Sequence, residues 1–260
     1  MSGQQQDRRI LKKLVRFLDE GKTSPKFPGD LVLTIGKFFV GAPYKIGTLE
    51  TNKTEHLIVN LREFDCVTFV ENVVTITWLL RSRERSFESF QRLLQKIRYR
   101  RGRLQGYSSR LHYFSEWIYD NRKKGILKDV TRKIGGRPFR KAINFMTTHP
   151  DLYPPLENTV NLRRMRLIER TISRRSLFFI PKKVLSRWEN RILDGDIVAT
   201  TTNTEGLDVQ HVGFAAWVKN RIHLLHASST ERKVVLTRQT LYQYLMQSKT
   251  RSGIVVARLA

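Results

Sequence analysis

Apolar residues recur at three- and four-residue spacing through the first 125 positions, while the last 70 hold short apolar runs broken by Gly, Asn, Ser and Thr. Helix and strand require different hydrophobic periods, so this one change divides the chain into a helical part and a later sheet. Ile10, Leu11, Leu14, Val15 and Leu18 predict an amphipathic helix over 8–20, stopped at Gly21. Leu33, Ile35 and Phe39 settle on no single period, and the stretch 30–39 is assigned to helix. The strongest stripe, Cys66, Phe69, Val70, Val73 and Val74, follows Asp65, a residue suited to an N-cap. Helical spacing continues over 86–101 and 109–125. GDIVATTT, VQHVGFAAWV, RIHLLHAS, KVVLTR and SGIVVARL then predict strands. Helices first and an antiparallel sheet afterwards make an α+β fold. The expected organisation is a single domain over 1–260: a helical part to about 125, an irregular basic segment over about 126–190 with a helix near 161–173, and a sheet over about 191–260.

Several classes are excluded early. No apolar run approaches the roughly 18 residues that a membrane-spanning helix needs. The start, MSGQQQDRRILKK, lacks the apolar stretch of a secretory leader. The protein is expected in the cell envelope or periplasm if a leader has been removed, with the cytoplasm as the alternative. Cys66 is the only cysteine, so no disulfide partner exists within the chain and no multi-cysteine zinc module is available. No metal or other cofactor is implied.

The formal charge is +25, and its distribution says more than its size. Residues 81–190 hold 28 Lys and Arg against 9 Asp and Glu, whereas residues 1–80 hold 11 against 9. An excess confined to the middle of a chain suits a basic face toward an anionic polymer or membrane surface, and equally a plain solubilising surface.

A lone cysteine is usually a small buried apolar residue. At the first turn of a helix, however, free backbone N–H groups and the helix dipole favour a thiolate, although the adjacent Asp65 opposes it. A nucleophilic thiol also needs a neutral imidazole to take its proton and a third polar group to orient that imidazole. Of six histidines, His211 and His226 lie on consecutive predicted strands. If Lys219 and Asn220 form a two-residue turn, His226 falls opposite Gly213 and diagonal to His211, and both imidazoles share one face. His223 then points away. The alternative is two ordinary strand histidines.

The runs FDCVTFVE, DVQHVGFAAW and LLHASS resemble the Cys, HVG and HAS blocks of the NlpC-type, papain-like cell-wall peptidase superfamily. PYKIGTLE, RLHYFSEW, FIPK and DGDIVAT are similar to one branch of it, the N-acetylmuramoyl-L-alanine amidase-like family, and the likeness runs from about residue 40 to the C-terminus. The resemblance implies a papain-like fold with the nucleophile at a helix N-terminus packed on an antiparallel sheet, and a large basic helical insertion. It implies a cysteine amidase that cuts the amide between the muramyl lactyl group and L-alanine in peptidoglycan or released, anhydro-muramyl fragments. Cys66 matches the nucleophile, His211 the general base and His226 the residue orienting it, the same three that the hairpin arithmetic brings forward.

Five further residues are substrate candidates. Tyr44 aligns with a pocket tyrosine of the superfamily, or else simply packs. Arg110 is placed to grip a peptide carboxylate in a fork, with His112 beside it in RLHYFSEW, where positions i and i+2 of a helix diverge. Asp65 is a helix cap or a substrate contact, and Asp208 a turn residue or a substrate contact. Three rivals stand beside this reading: an NlpC-type endopeptidase cutting D-glutamate–diaminopimelate bonds, a nucleic-acid binder using the Arg-rich stretches, and a zinc amidase using Cys66, His211 and His226. No specific nucleic-acid motif is present and the spacing matches no familiar zinc motif.

Overall fold

The computed structural model describes residues 2–20, 28–50, 54–82 and 84–260. The helix stop expected at Gly21 lies outside the described residues. Five helices come first: α1 (Gly3–Glu20), α2 (Pro28–Phe38), α3 (Cys66–Arg81), α4 (Phe87–Arg98) and α5 (Phe114–Lys123). The middle of the chain holds β1 (Leu127–Asp129), α6 (Thr131–Ile134), β2 (Arg137–Phe139), α7 (Phe145–Thr148), α8 (Thr159–Ser173) and β3 (Leu177–Pro181). The remainder is β4 (Ile197–Thr202), β5 (Val209–Val218), β6 (Arg221–Ser228), β7 (Lys233–Thr240), α9 (Leu241–Met246) and β8 (Arg251–Leu259).

The eight strands form one sheet in the order β2-β3-β8-β4-β5-β6-β7, with β1 also on β8, and every pairing is antiparallel. The architecture is thus α+β. The segment 126–190, expected to be irregular, contributes three strands to the sheet. Each is only three to five residues long, too short for an alternating pattern to show in sequence.

Helix α3 is rich in β-branched residues, which are indifferent helix formers, yet every residue from Thr68 to Thr77 is buried. Tertiary packing therefore decides its conformation. Phe69 meets Phe214 of β5 edge-on at 5.8 Å, and Phe64, just before the helix, continues the aromatic chain. Glu71 fixes its rotation: the buried carboxylate accepts from Arg98 Nε at 2.7 Å and from Trp117 Nε1 at 3.2 Å, tying α3 to α4 and α5. Removing one partner of a buried pair like this costs about 3–5 kcal/mol, so the start of α3 is held firmly.

The helix expected over 109–125 begins later, at Phe114. Arg110 is extended and bridges to Tyr99, so Arg110 and His112 stand on a strand-like approach to the helix. Helix α8 faces inward with Met165, Glu169 and Ile172 and outward with Arg163, Arg164, Arg166, Arg170 and Arg174.

Candidate active site

Asp65 caps α3 through a reciprocal box. Its Oδ1 accepts from the Thr68 N–H at 2.7 Å, and the Asp65 N–H donates to Thr68 Oγ1 at 3.0 Å. Thr48 Oγ1 donates to the other carboxylate oxygen at 3.3 Å. Such a cap contributes about 1 kcal/mol, and here it fixes the turn that presents Cys66.

Opposite this turn lies β5. Lys219 and Asn220 both have positive φ, 46° and 65°, as a two-residue primed turn requires, and the resulting register pairs Phe214 with Leu225. That register sets His226 against Gly213. A Cβ on Gly213 would lie 2.8 Å from His226 Cβ and 2.8 Å from the Leu225 carbonyl oxygen, so only glycine lets His226 settle onto β5. His211 Nε2 and His226 Nδ1 are 2.5 Å apart, with the rings edge to face at 4.7 Å. A bulge between β4 and β5, where Thr200 pairs with His211 but Thr201 with Val209, re-aims the strand just before His211. His223, as its parity predicts, turns elsewhere and contacts the Thr237 carbonyl at 2.8 Å.

Cys66 and His211 line one cleft of about 130 Å³, walled by His112, Tyr113, Met146, Tyr153, Asp208 and Val212 among others. Burial, and behind it the Asp65 carboxylate, push the Cys66 thiol up to about 12, against the backbone N–H groups of Val212, Cys66 and Val67 that favour the thiolate. Burial likewise holds His211 well below the ordinary imidazole value, with His226 and Arg251 pushing the same way. His226 falls to about 4 through burial and then Arg251. At neutral pH the corner therefore contains a protonated thiol and two neutral imidazoles. No hydrogen bond joins Cys66 to His211, so they share the cleft without a resting ion pair. Among the described residues, no three His, Cys, Asp or Glu side chains are arranged to hold a metal ion.

Comparison with known proteins fits this geometry into a family. The model of the N-acetylmuramoyl-L-alanine amidase-like family matches residues 34–254. The chain belongs to this family. An N-acetylmuramoyl-L-alanine amidase from Bacteroides uniformis is 40% identical, with 90% of this chain and 99% of that one covered and a TM-score of 0.86. A Bacteroides fragilis protein whose name proposes a xylanase is 43% identical over 86% of this chain and 99% of its own, at a TM-score of 0.83. A Legionella pneumophila protein at 23% identity shares the fold, with a TM-score of 0.76 over 99% of this chain and 95% of its own. No curated protein matches the chain.

Of the substrate candidates, Tyr44 lies beside the family's Cys block. Its N–H donates to the Arg232 carbonyl at 2.9 Å, and Pro43 and Lys45 bond to Phe64, two residues before Cys66. Burial, then Cys66 and Asp65, raise the Tyr44 phenol to about 12, and its hydroxyl has no hydrogen-bond partner among the described residues. His112 lines the cleft with one face. Its Nε2 lies 2.9 Å from the Tyr107 carbonyl oxygen, and burial and Arg110 keep it neutral. Asp208 lines the cleft too, but its oxygens accept from the N–H groups of Ser115 at 2.8 Å and Val209 at 2.7 Å, so it caps α5 from 93 residues away.

Arg110 departs from the sequence reading. It is buried behind the cleft wall, donating to the Leu49 carbonyl at 3.1 Å and to Glu50 at 2.5 Å, with Glu55 3.8 Å away. Two carboxylates of the chain itself occupy the fork that a substrate carboxylate would need. Its route to the cleft is indirect, through Tyr107, which it overlies at 5.1 Å and against which His112 packs at 4.3 Å. Sequence reasoning also missed Met146 and Tyr153, which line the cleft from the irregular segment, and Tyr244 and Arg251, which stand behind the imidazoles. The turn residues of HPDLYPP gave no sign of what they would touch.

Proposed function

We propose that this protein is a cysteine amidase that hydrolyses the bond between the muramyl lactyl group and L-alanine in peptidoglycan fragments, with Cys66 as nucleophile, His211 as general base and His226 as the group orienting it. The observation that carries the reading is the pairing at the corner of helix and sheet: a thiol at the first turn of α3 shares a cleft with His211, whose Nε2 is engaged by His226. With the Nε2 proton donated to His226, His211 keeps Nδ1 as its basic nitrogen. The cysteine helix packed on a histidine-bearing antiparallel hairpin supports a papain-like, NlpC-type reading of the fold.

In this mechanism, sulfur attacks the lactyl carbonyl as the thiol proton passes to His211 Nδ1. The thiol is too weak an acid and the imidazole too weak a base for a standing ion pair, so transfer accompanies attack. The N–H groups of Cys66, Val67 and Val212 provide donors beside the developing charge, and the free Tyr44 hydroxyl adds another. The tetrahedral intermediate expels the alanine nitrogen, which takes the proton from His211. Water then attacks the thioester as it gives its proton to His211 Nδ1, the C–S bond breaks to release the lactyl carboxylate, and the proton passes to the Cys66 sulfur.

Membership of the amidase-like family and the B. uniformis relative support the muramyl–alanine bond over the D-glutamate–diaminopimelate bond. Mass spectrometry of a defined muropeptide after digestion tests this directly. The expected products are a muramyl sugar with a free lactyl carboxylate and a peptide with a free L-alanine amine. Inhibition by a thiol alkylator with indifference to chelators is expected alongside; the reverse pattern would favour a metal-dependent amidase.

A further inference from the structure

Behind the two imidazoles stands a cation that no acid among the described residues balances. Arg251, the first residue of β8, donates through Nη1 to the Tyr244 carbonyl, and its guanidinium lies 3.6 Å over the Tyr244 ring. Its Nε is buried without a partner, and no ion pair among the described residues includes it. Tyr244 in turn faces both imidazoles, 5.7 Å from His226 and 6.1 Å from His211 between ring centroids. Neither Tyr244 nor Arg251 lines the Cys66 cleft, so the cluster supports the histidines from the rear and does not await a substrate carboxylate.

A half-buried guanidinium without a carboxylate costs stability, and something must offset that cost. Its neighbours indicate what. The titratable and charged groups around the imidazoles are Cys66 from α3 with the Asp65 carboxylate beside it, Asp208 and His112 across the cleft, Tyr244 from α9 and Arg251 from β8. The two aspartates are engaged by the N–H groups they cap, and Arg251 is the cation of the set. A fixed positive charge there disfavours a second one on either imidazole.

We propose that Arg251, seated on Tyr244, is a positioning residue that adds to burial in disfavouring charge on the His211–His226 pair, so that His211 holds an open acceptor for the Cys66 thiol. The proposal rests on the amidase reading for its meaning, but its electrostatic content can be measured apart from catalysis. The same charge makes the transient imidazolium a stronger acid, which speeds delivery of the proton to the departing amine and returns His211 to its neutral form.

The test uses the whole protein with Arg251→Met and Arg251→Gln, both neutral, against Arg251→Lys, which keeps the charge. Two readouts are taken: side-chain NMR titration of the imidazoles without substrate, and the pH profile of kcat/KM on a soluble muropeptide. In the neutral variants the imidazole titration and the acid limb of kcat/KM should both move upward by about one pH unit, as expected for removing a neighbouring like charge, with Arg251→Lys close to the parent. Unmoved titrations in folded Arg251→Met and Arg251→Gln, or an equal shift in Arg251→Lys, would overturn the proposal. If the titration moves while a folded Cys66→Ala protein still cleaves muropeptide, the positioning effect stands and the cysteine reading falls.

Discussion

The corner that holds Cys66 and the face that holds α8 treat charge in opposite ways. At the corner, burial takes charge away: the thiol is pushed up, both imidazoles are pushed down, and Asp65 and Asp208 are committed to helix caps. On the outer face of α8, five arginines point into solvent. Their charge lies where water and salt screen it over about 8–10 Å, while the proposed chemistry depends on groups that are neutral at rest. Net charge describes what the molecule approaches, and burial describes what it can do on arrival.

Substitutions at the corner should produce the largest effects. Cys66→Ala and Cys66→Ser should each lower amidase activity by at least about 10³-fold with an unchanged circular dichroism spectrum. His211→Ala should come close to that loss. His226→Ala should cost less, about 10–100-fold, because an orienting group acts through the base. Gly213→Ala should resemble His226→Ala, since the added methyl occupies the space into which His226 settles. A Gly213→Ala enzyme with parental kcat/KM would show that the hairpin geometry is not used. His223→Ala should leave kcat/KM within about twofold of the parent.

Arg110→Ala should register as lost stability more than as lost recognition. Removing the cation strands the buried Glu55, and urea unfolding should show about 2 kcal/mol of destabilisation. A stable Arg110→Ala protein with a large rise in KM would return Arg110 to the substrate-binding set.

Reversing Arg163, Arg166 and Arg170 to Glu should leave cleavage of a small soluble muropeptide unchanged and reduce turnover of insoluble wall at low salt. Added salt should narrow that difference. An equal loss on the small fragment would place the basic face within the active site and erase the contrast between the two regions.

The subtlest expectation concerns resting charge. Alkylation of Cys66 by iodoacetamide in the free protein should accelerate with each pH unit from 7 to 10 without a plateau, following a thiol pushed up to about 12. A plateau near neutral pH would reveal a standing thiolate–imidazolium pair and a corner that is charged after all.

What the sequence revealed depended on how local the determinant was. Cys66 at a helix start is set by Asp65 beside it, and the His211–His226 pairing by two turn residues, so both could be derived by counting. The α+β division followed from hydrophobic period for the same reason. Arg110 could not be placed in this way, because its partners Glu50 and Glu55 lie about 60 residues away in the sequence. The late start of α5 also depends on a distant residue, Asp208, which supplies its cap across 93 positions. Strands β1 and β3 exist because β8 offers them an edge, a preference that their own few residues do not express.

The central claim, a muramyl acyl group carried on Cys66, is open to one direct measurement. A defined muropeptide is mixed with the protein, the reaction is quenched in acid within the first turnover, and the intact protein is weighed by mass spectrometry, with peptide mapping to place any adduct. The account predicts a thioester on Cys66 whose added mass is the muramyl sugar alone, without any amino acid. An adduct that retains L-alanine and D-glutamate would move the scissile bond two amides along the stem, to the D-glutamate–diaminopimelate bond, and make the enzyme an endopeptidase. Full activity in a folded Cys66→Ala protein, with no adduct at any time, would contradict the cysteine mechanism altogether.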